Sequence, residues 1–427
     1  MKCDKQSFVL KGHICYSKKI DELLIFDDSY LVCVDGRSQG VFSRLPEIYQ
    51  DLPFKDYKDA IIIPGLVDLH THAPQFGYRG TGMDMELLEW LEVNAFPEES
   101  KFSDIGYANK AYGLFVEQLR RSGTTRVAIF ATLHVEATDL LMSLMEASGM
   151  VSYVGKVSMD RNAPPILIEA SAQVSNDATK RWIDLSNSKY ERTKPILTPR
   201  FTPTCSDELM EGLGGLQRKY KLPFQSHLSE SLEEIEWVSD LCPRTNFYGE
   251  AYNQFDLFGN GCPTIMAHCV YSEEDEIELM KNNNVFVAHC PNSNTNIKSG
   301  IAPMRNYVDK GLKVGLGSDV AGGFSESIFR AMSDAIQMSK MYYRYVDQSA
   351  SPLTIDEAFY MGTKGGGEFF GQVGSFEKGY ECDVLILKDD NLKTTVEMTT
   401  KQRLERLIYL GDDRNIIEKY VQGCQLF

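Results

Sequence analysis

The chain has 427 residues, 43% of them hydrophobic and 24% charged, an ordinary globular composition with enough length for one large domain and a smaller lobe. Sixty acidic residues against 44 basic ones leave a formal charge of −16, which repels a phosphate backbone and points to a small-molecule substrate rather than nucleic acid. No stretch approaches roughly eighteen consecutive apolar residues, and the N-terminal MKCDKQSFVLKGHICYS alternates like a strand with no basic region ahead of an apolar run, so neither membrane insertion nor export is predicted.

Residues 1–63 predict short strands at 7–16, 22–26, 30–34 and 59–63, with Asp35-Gly36 as a turn. Between 64 and 372 the pattern changes to alternating strands and helices. Predicted parallel strands fall at 66–70, 124–130, 151–158, 196–199, 223–227, 263–269, 285–290 and 313–318, with helices at 105–122, 137–147, 206–220, 231–240 and 273–282 between them. Eight strands with crossover helices over roughly 300 residues favour an α/β fold with a closed, TIM-like (β/α)8 barrel. An open doubly wound sheet is the competing architecture, but no Gly-x-Gly-x-x-Gly loop follows an early strand. The run Gly365-Gly366-Gly367 reads as a tight packing or turn element. From 373 onward the strand pattern resumes at 373–387 and 420–426. The C-terminal part, 373–427, is thus expected to join residues 1–63 in a small β-sandwich and to carry a terminal helix.

Ten cysteines, at 3, 15, 33, 205, 242, 262, 269, 290, 382 and 424, lack Cys-x-x-Cys spacing and read as reduced thiols of a cytosolic protein.

The residues that suggest chemistry begin at 64–72, PGLVDLHTH. Side chains two apart in a strand point the same way, so His70 and His72 can present their imidazoles together. In a barrel the chemistry sits at the C-terminal strand ends. His227, His268 and Asp319 each end a further predicted strand, and so should reach the same rim as the first pair. Neutral imidazoles and one carboxylate suit zinc, with iron also compatible. The fourth strand, ILTPRF at 196–201, contains no lysine that could be carboxylated to bridge two metals, so one ion per chain is expected, acidifying a bound water. Glu230, three residues after His227, is placed for proton transfer, while Glu233, Glu234 and Glu236 read as solvated acids at a helix start. Asp319 has the second proton-transfer role available. His134-Val-Glu136 superficially matches the His-x-Glu of cytidine-type zinc deaminases, but their Pro-Cys-x-x-Cys is missing. His134 is therefore expected to be structural or at the outer pocket, His289 to lie behind the ligands or line the cavity, and His13 to be structural.

These residues resemble the amidohydrolase superfamily over essentially the whole chain. Within it the chain resembles the guanine deaminase family, through His72-Ala-Pro-Gln75, LLEWL at 87–91 followed by Phe96-Pro97, Thr198-Pro-Arg-Phe201, His227-Leu-Ser-Glu230 and YLGDDRNI at 409–416. The stretch Glu92-Val-Asn-Ala95 departs from the family pattern, and Met159-Asp-Arg161 matches it loosely.

The resemblance implies metal ligation by His70, His72, His227, His268 and Asp319. It also implies a purine held by Arg200 and Phe201, hydrogen-bonded by Gln75, lined by Trp90, and bordered by His227 and Glu230. The activity it implies is hydrolytic deamination of guanine, with Glu230 delivering a proton to N3 and Asp319 passing one to the leaving amine. No organic cofactor is implied, and the assembly is that of a cytoplasmic homodimer. Deamination of another heterocycle, such as 8-oxoguanine or a triazine, is the alternative reaction. A non-catalytic relative acting by binding or assembly is the alternative class, and such relatives tend to lose residues that are all present here.

Overall fold

The structure, a computed structural model, describes residues 6–259 and 261–427; Cys3 and the rest of the first five residues lie outside the described residues. β1 (Phe8–Lys19) and β2 (Glu22–Val34) pair antiparallel. The two strands predicted at 22–26 and 30–34 run as one, because Asp28, at φ 43°, sits in a local irregularity of the pairing rather than in a turn. Asp35 and Gly36 do turn the chain, at φ 49° and 75°, the left-handed pair that suits a two-residue hairpin loop. They lead into β3 (Arg37–Phe42), a strand absent from the sequence reading. β4 (Phe54–Pro64) then returns parallel to β1.

The alternating part contains β5 (Leu66–His72), β6 (Thr124–Phe130), β7 (Val151–Gly155), β8 (Val157–Ser158), β9 (Thr193–Pro195), β10 (Thr198–Pro199), β11 (Phe224–Leu228), β12 (Thr264–His268), β13 (Phe286–His289) and β14 (Lys313–Leu316). Helices Ile105–Arg121, Val135–Ser148, Asp207–Tyr220, Leu232–Leu241 and Glu274–Asn282 lie within a few residues of their predicted positions. The strands form two parallel sheets, β5-β6-β7-β9 and β11-β12-β13-β14, and a pair, β10-β8. Two predicted strands are broken for identifiable reasons. The 151–158 strand is interrupted at Lys156, whose buried ammonium donates to Val157 O at 3.1 Å and Glu169 Oε1 at 2.7 Å. Around 196–199 there are two short pieces containing Pro195 and Pro199, which have no N–H to give a ladder.

Backbone hydrogen bonds also link the two sheets. On one side Leu197 N donates to Pro223 O and Gln225 N to Leu197 O, both at 2.9 Å; on the other, Asp319 N donates to His70 O at 2.8 Å and His72 N to Val320 O at 3.1 Å. The glycine run packs tightly, as predicted: a Cβ on Gly365 would lie 2.7 Å from Val314 O.

β15 (Val384–Leu387), β16 (Ile416–Val421) and β17 (Cys424–Gln425) complete a seven-stranded sheet in the order β17-β16-β15-β4-β1-β2-β3. Both ends of the chain therefore share one sheet. The strand predicted over 373–387 survives only at its end, since Gly374 and Gly379, at φ 79° and 93°, turn the preceding backbone. Helix Thr400–Leu410 lies between β15 and β16. Alternation divides the faces of the sheet: Ile62, Val384 and Ile386 join a small core with Leu10, Ile14 and Leu31, while Ile61, Ile63, Leu385 and Leu387 join the main core. A buried ion pair fastens the same junction, Arg126 of β6 donating to Asp383 Oδ2 at 2.5 Å and Glu381 Oε2 at 2.7 Å.

Candidate active site

β5 is buried along its whole length, and Asp68 braces its end against the chain after β14. Its carboxylate accepts from His70 N at 3.1 Å, Ser318 N at 3.0 Å and Ser318 Oγ at 2.6 Å. Gly317 is needed beside this contact, because a Cβ there would lie 2.9 Å from His70 Cβ. His268 and Asp319 leave their strands at φ 72° and 44°, left-handed conformations that cost a non-glycine residue free energy and here turn both side chains at the strand ends.

Five predicted side chains converge. His72 Nε2 is 3.2 Å from His70 Nε2 and 3.3 Å from His227 Nε2, and Asp319 Oδ1 is 3.2 Å from His70 Nε2 and 3.3 Å from His72 Nε2. His268 Nε2 lies 3.7 Å from Asp319 Oδ2. The far ring nitrogens explain the orientation: His227 Nδ1 donates to Arg200 O at 2.6 Å and His268 Nδ1 to Asn294 Oδ1 at 2.8 Å. With the proton on Nδ1, each ring turns a bare Nε2 inward, and His268 Nε2 has no hydrogen-bond partner among the described residues. Bare nitrogens facing one another beside a carboxylate oxygen fit a divalent cation, and His70, His227 and His268, like His70, His72 and Asp319, are close enough to share one. Cys290 lies near His268 and Asp319, which its spacing in the sequence does not signal; burial pushes its thiol well above the ordinary value.

Burial holds His70, His72 and His227 below the ordinary imidazole value. Burial works against Asp319, yet the His70, His268 and His72 imidazoles outweigh it and keep the carboxylate ionised. Glu230 is buried at the cavity wall, and burial pushes its carboxyl up to about 7. Its Oε1 accepts from Ser299 Oγ at 2.9 Å and its Oε2 lies 3.3 Å from His268 Nε2. Glu234 differs from the expectation of a solvated acid. It is fully buried, lines the cavity, and accepts from Glu230 N at 3.0 Å and Tyr248 Oη at 2.9 Å. Glu233 and Glu236 are exposed as expected; on helix Leu232–Leu241, residues 234 and 238 share the inward face.

One cavity brings His72, His227, His268, Asp319 and Glu230 together with Gln75, Trp90, Arg200 and Phe201, and adds Leu87, Leu91 and Ile297. Two of these residues are already engaged by Glu99, which the sequence reading missed: Glu99 accepts from Gln75 Nε2 at 2.8 Å and from Arg200 Nη1 at 2.6 Å. Its only signal was its place two residues after Pro97 of the Phe96-Pro97 motif. The Arg200 guanidinium also lies 5.0 Å over the Phe96 ring, and Trp90 Nε1 is buried without a partner among the described residues. In the departing stretch 92–95, a π-helical turn, Glu92 and Val93 point to solvent.

The three histidines outside the cluster also stay out of the cavity lining. His134 precedes helix Val135–Ser148 and its carbonyl accepts from Thr138 N at 2.9 Å, a structural position. His289 ends β13, buried, with neither ring nitrogen partnered among the described residues. His13 Nδ1 lies 3.0 Å from Asp27 Oδ1 in the terminal sheet.

The chain belongs to the amidohydrolase family, whose model matches residues 61–425. Within that family it is similar to guanine deaminases. It is 36% identical to the guanine deaminase of Dictyostelium discoideum, over 100% of this chain and 99% of that one, and 35% identical to that of Mus musculus, over 85% and 82%. A crystal structure of guanine deaminase from C. acetobutylicum with guanine bound in the active site superposes with a TM-score of 0.96 at 48% identity, covering 99% of this chain and all of that one.

Proposed function

We propose that this chain is a guanine deaminase, converting guanine and water to xanthine and ammonia. The observation that carries this reading is a single cavity lined by ligand-type imidazoles and Asp319 together with Arg200, Gln75, Phe201 and Trp90, in a chain similar throughout to guanine deaminases.

The residues that would hold the ion are His70, His72, His227, His268 and Asp319; a bound divalent ion, zinc in this reading, supplies an acidified water. The remaining steps belong to the protein. Arg200 and Gln75 donate to the acceptor edge of the purine, while Phe201 and Trp90 cover the ring. His227 and Glu230 border the reacting C2. Glu230, whose buried carboxyl is pushed up to about 7, delivers its proton to N3 as the ring takes up charge. Asp319 takes one proton of the attacking water and releases it to the amino group at C2, which leaves as ammonia, and the other water proton returns to Glu230 as the C2 carbonyl forms.

We place the catalytic part at 64–372, with the two parallel sheets closing one barrel, a reading supported by the inter-sheet hydrogen bonds of Leu197 and Asp319. Residues 1–63 and 373–427 would form the flanking β-sandwich, supported by their shared sheet and its small separate core. A cytoplasmic homodimer follows from the family resemblance; no helix of the described residues is long and apolar enough to cross a membrane. The test is ammonia release from guanine, 8-oxoguanine, adenine, guanosine and triazines. Guanine should give the highest kcat/KM, and a better substrate among the others would refute the assignment.

A further inference from the structure

We infer that Glu99 is a positioning residue that makes the substrate-facing groups of the cavity donors only. Glu99 ends the short helix Phe96–Glu99. It is 2% exposed and stands behind the cavity wall rather than in it. Its two oxygens are divided between side chains brought by different parts of the fold: Oε1 accepts from Gln75 Nε2 at 2.8 Å and Oε2 from Arg200 Nη1 at 2.6 Å.

A carboxylate oxygen in these contacts accepts, so Gln75 has to turn its amino end toward Glu99. The other end of the amide is occupied as well, since Gln75 Oε1 accepts from Ala321 N at 3.1 Å. Flipping the amide would set its amino group against the Ala321 N–H and its carbonyl against the Glu99 carboxylate. What Gln75 retains as a donor for the cavity is one N–H, with its oxygen held toward Ala321. Arg200, held through Nη1 and stacked over Phe96, has nothing but N–H groups to offer. The wall facing the ligand is therefore a donor surface, imposed by one carboxylate held behind both residues.

This inference rests on the guanine reading and says how its selectivity is enforced. Guanine presents O6 and N7 as acceptors. 2,6-Diaminopurine has the same ring and the same amino group at C2 but carries an amino donor where guanine has O6, so it meets donors with a donor. Glu99→Gln keeps the size of the side chain but can satisfy Arg200 only by pointing its own NH2 at Gln75. That forces Gln75 either to lose this contact or to flip against Ala321, and it frees the orientation of both substrate-facing groups.

The experiment measures KM and kcat for guanine and the competitive inhibition constant of 2,6-diaminopurine, on wild type and Glu99→Gln. The expected result is a rise in guanine KM of about tenfold or more, a smaller change in kcat, and a fall by a similar factor in the ratio of the 2,6-diaminopurine inhibition constant to the guanine KM. A merely structural glutamate would weaken both ligands alike, so an unchanged ratio overturns the inference. If Glu99→Gln does not accumulate as folded protein, Glu99→Asp, which draws the carboxylate back by one methylene, is read in the same way, and a wild-type KM and ratio there overturn it equally. A wild-type protein inactive on guanine overturns the guanine reading and this inference with it; an unchanged ratio in active protein overturns this inference alone.

Discussion

Ser299 donates its hydroxyl hydrogen to Glu230 Oε1 at 2.9 Å, leaving Glu230 Oε2 to face His268 Nε2 at 3.3 Å. The two oxygens of one carboxylate are thereby given different work, one anchored and one turned toward the cluster. Glu230→Gln keeps the shape of the side chain but cannot carry the proton. Turnover should fall by roughly 10² or more, with metal content nearly unchanged. Ser299→Ala removes only the anchor and should cost roughly tenfold in kcat. Near-normal turnover in Glu230→Gln would contradict its proton-transfer role, whatever Ser299→Ala does.

The convergence of His70, His72, His227, His268 and Asp319 within one cluster predicts about one divalent metal per chain. His72→Ala should lose metal and activity together while retaining the circular dichroism spectrum of the wild type. Elemental analysis decides the stoichiometry, and two tightly bound equivalents would reject a mononuclear centre.

The Arg200 side chain is tied to the rest of the site through Glu99 and not through any metal-facing nitrogen. Arg200→Ala should therefore raise the guanine KM by about tenfold or more and reduce the preference for guanine over adenine, while bound metal stays at the wild-type level. Loss of metal in this variant would mean that Arg200 supports the cluster, whose His227 ring its backbone carbonyl holds.

Lys419, on β16, is completely buried and donates to Arg120 O at 3.1 Å and Ser122 O at 3.0 Å, capping the C-terminal end of helix Ile105–Arg121 from the terminal sheet. Burial, and then the neighbouring Arg120, lower its pKa from 10.5 to about 7, against the opposing pull of Asp413 and Asp383. Between these values the unfolded chain holds the proton and the folded chain does not. Stability should therefore rise with pH across that window, by at most about 1.4 kcal/mol per pH unit from this group. Lys419→Met should lack that slope. Parallel Tm-against-pH curves for the two proteins from pH 7 to 9.5 would show that the group does not titrate there.

The parts of the site legible in the sequence are those that local chemistry expresses. His70 and His72 are two residues apart on an apolar strand, and His227, His268 and Asp319 each close an apolar run, so period-two geometry and strand-end position could be read without coordinates. Asp35-Gly36 announced its turn for the same local reason. Glu234 was misread because one acid among Glu233, Glu234 and Glu236 looks like the next; only its place on the inward face of the helix, under Tyr248, separates it from its neighbours. The breaks at Lys156 and near Pro195 depend on a buried partner, Glu169, and on missing N–H groups in a particular ladder.

By itself the sequence determined which residue types are available for metal binding and proton transfer, and that strands at both ends must find partners. Those properties follow from side-chain chemistry and the two-residue repeat of a strand. Tertiary structure alone decided the contacts that cross large sequence distances: Glu99 with Arg200, Glu230 with Ser299, Arg126 with Asp383, and Lys419 with the carbonyls near residue 120. Each joins groups on separate elements, and nothing in the spacing of a chain says which buried charge will meet which acceptor until packing has excluded water from both.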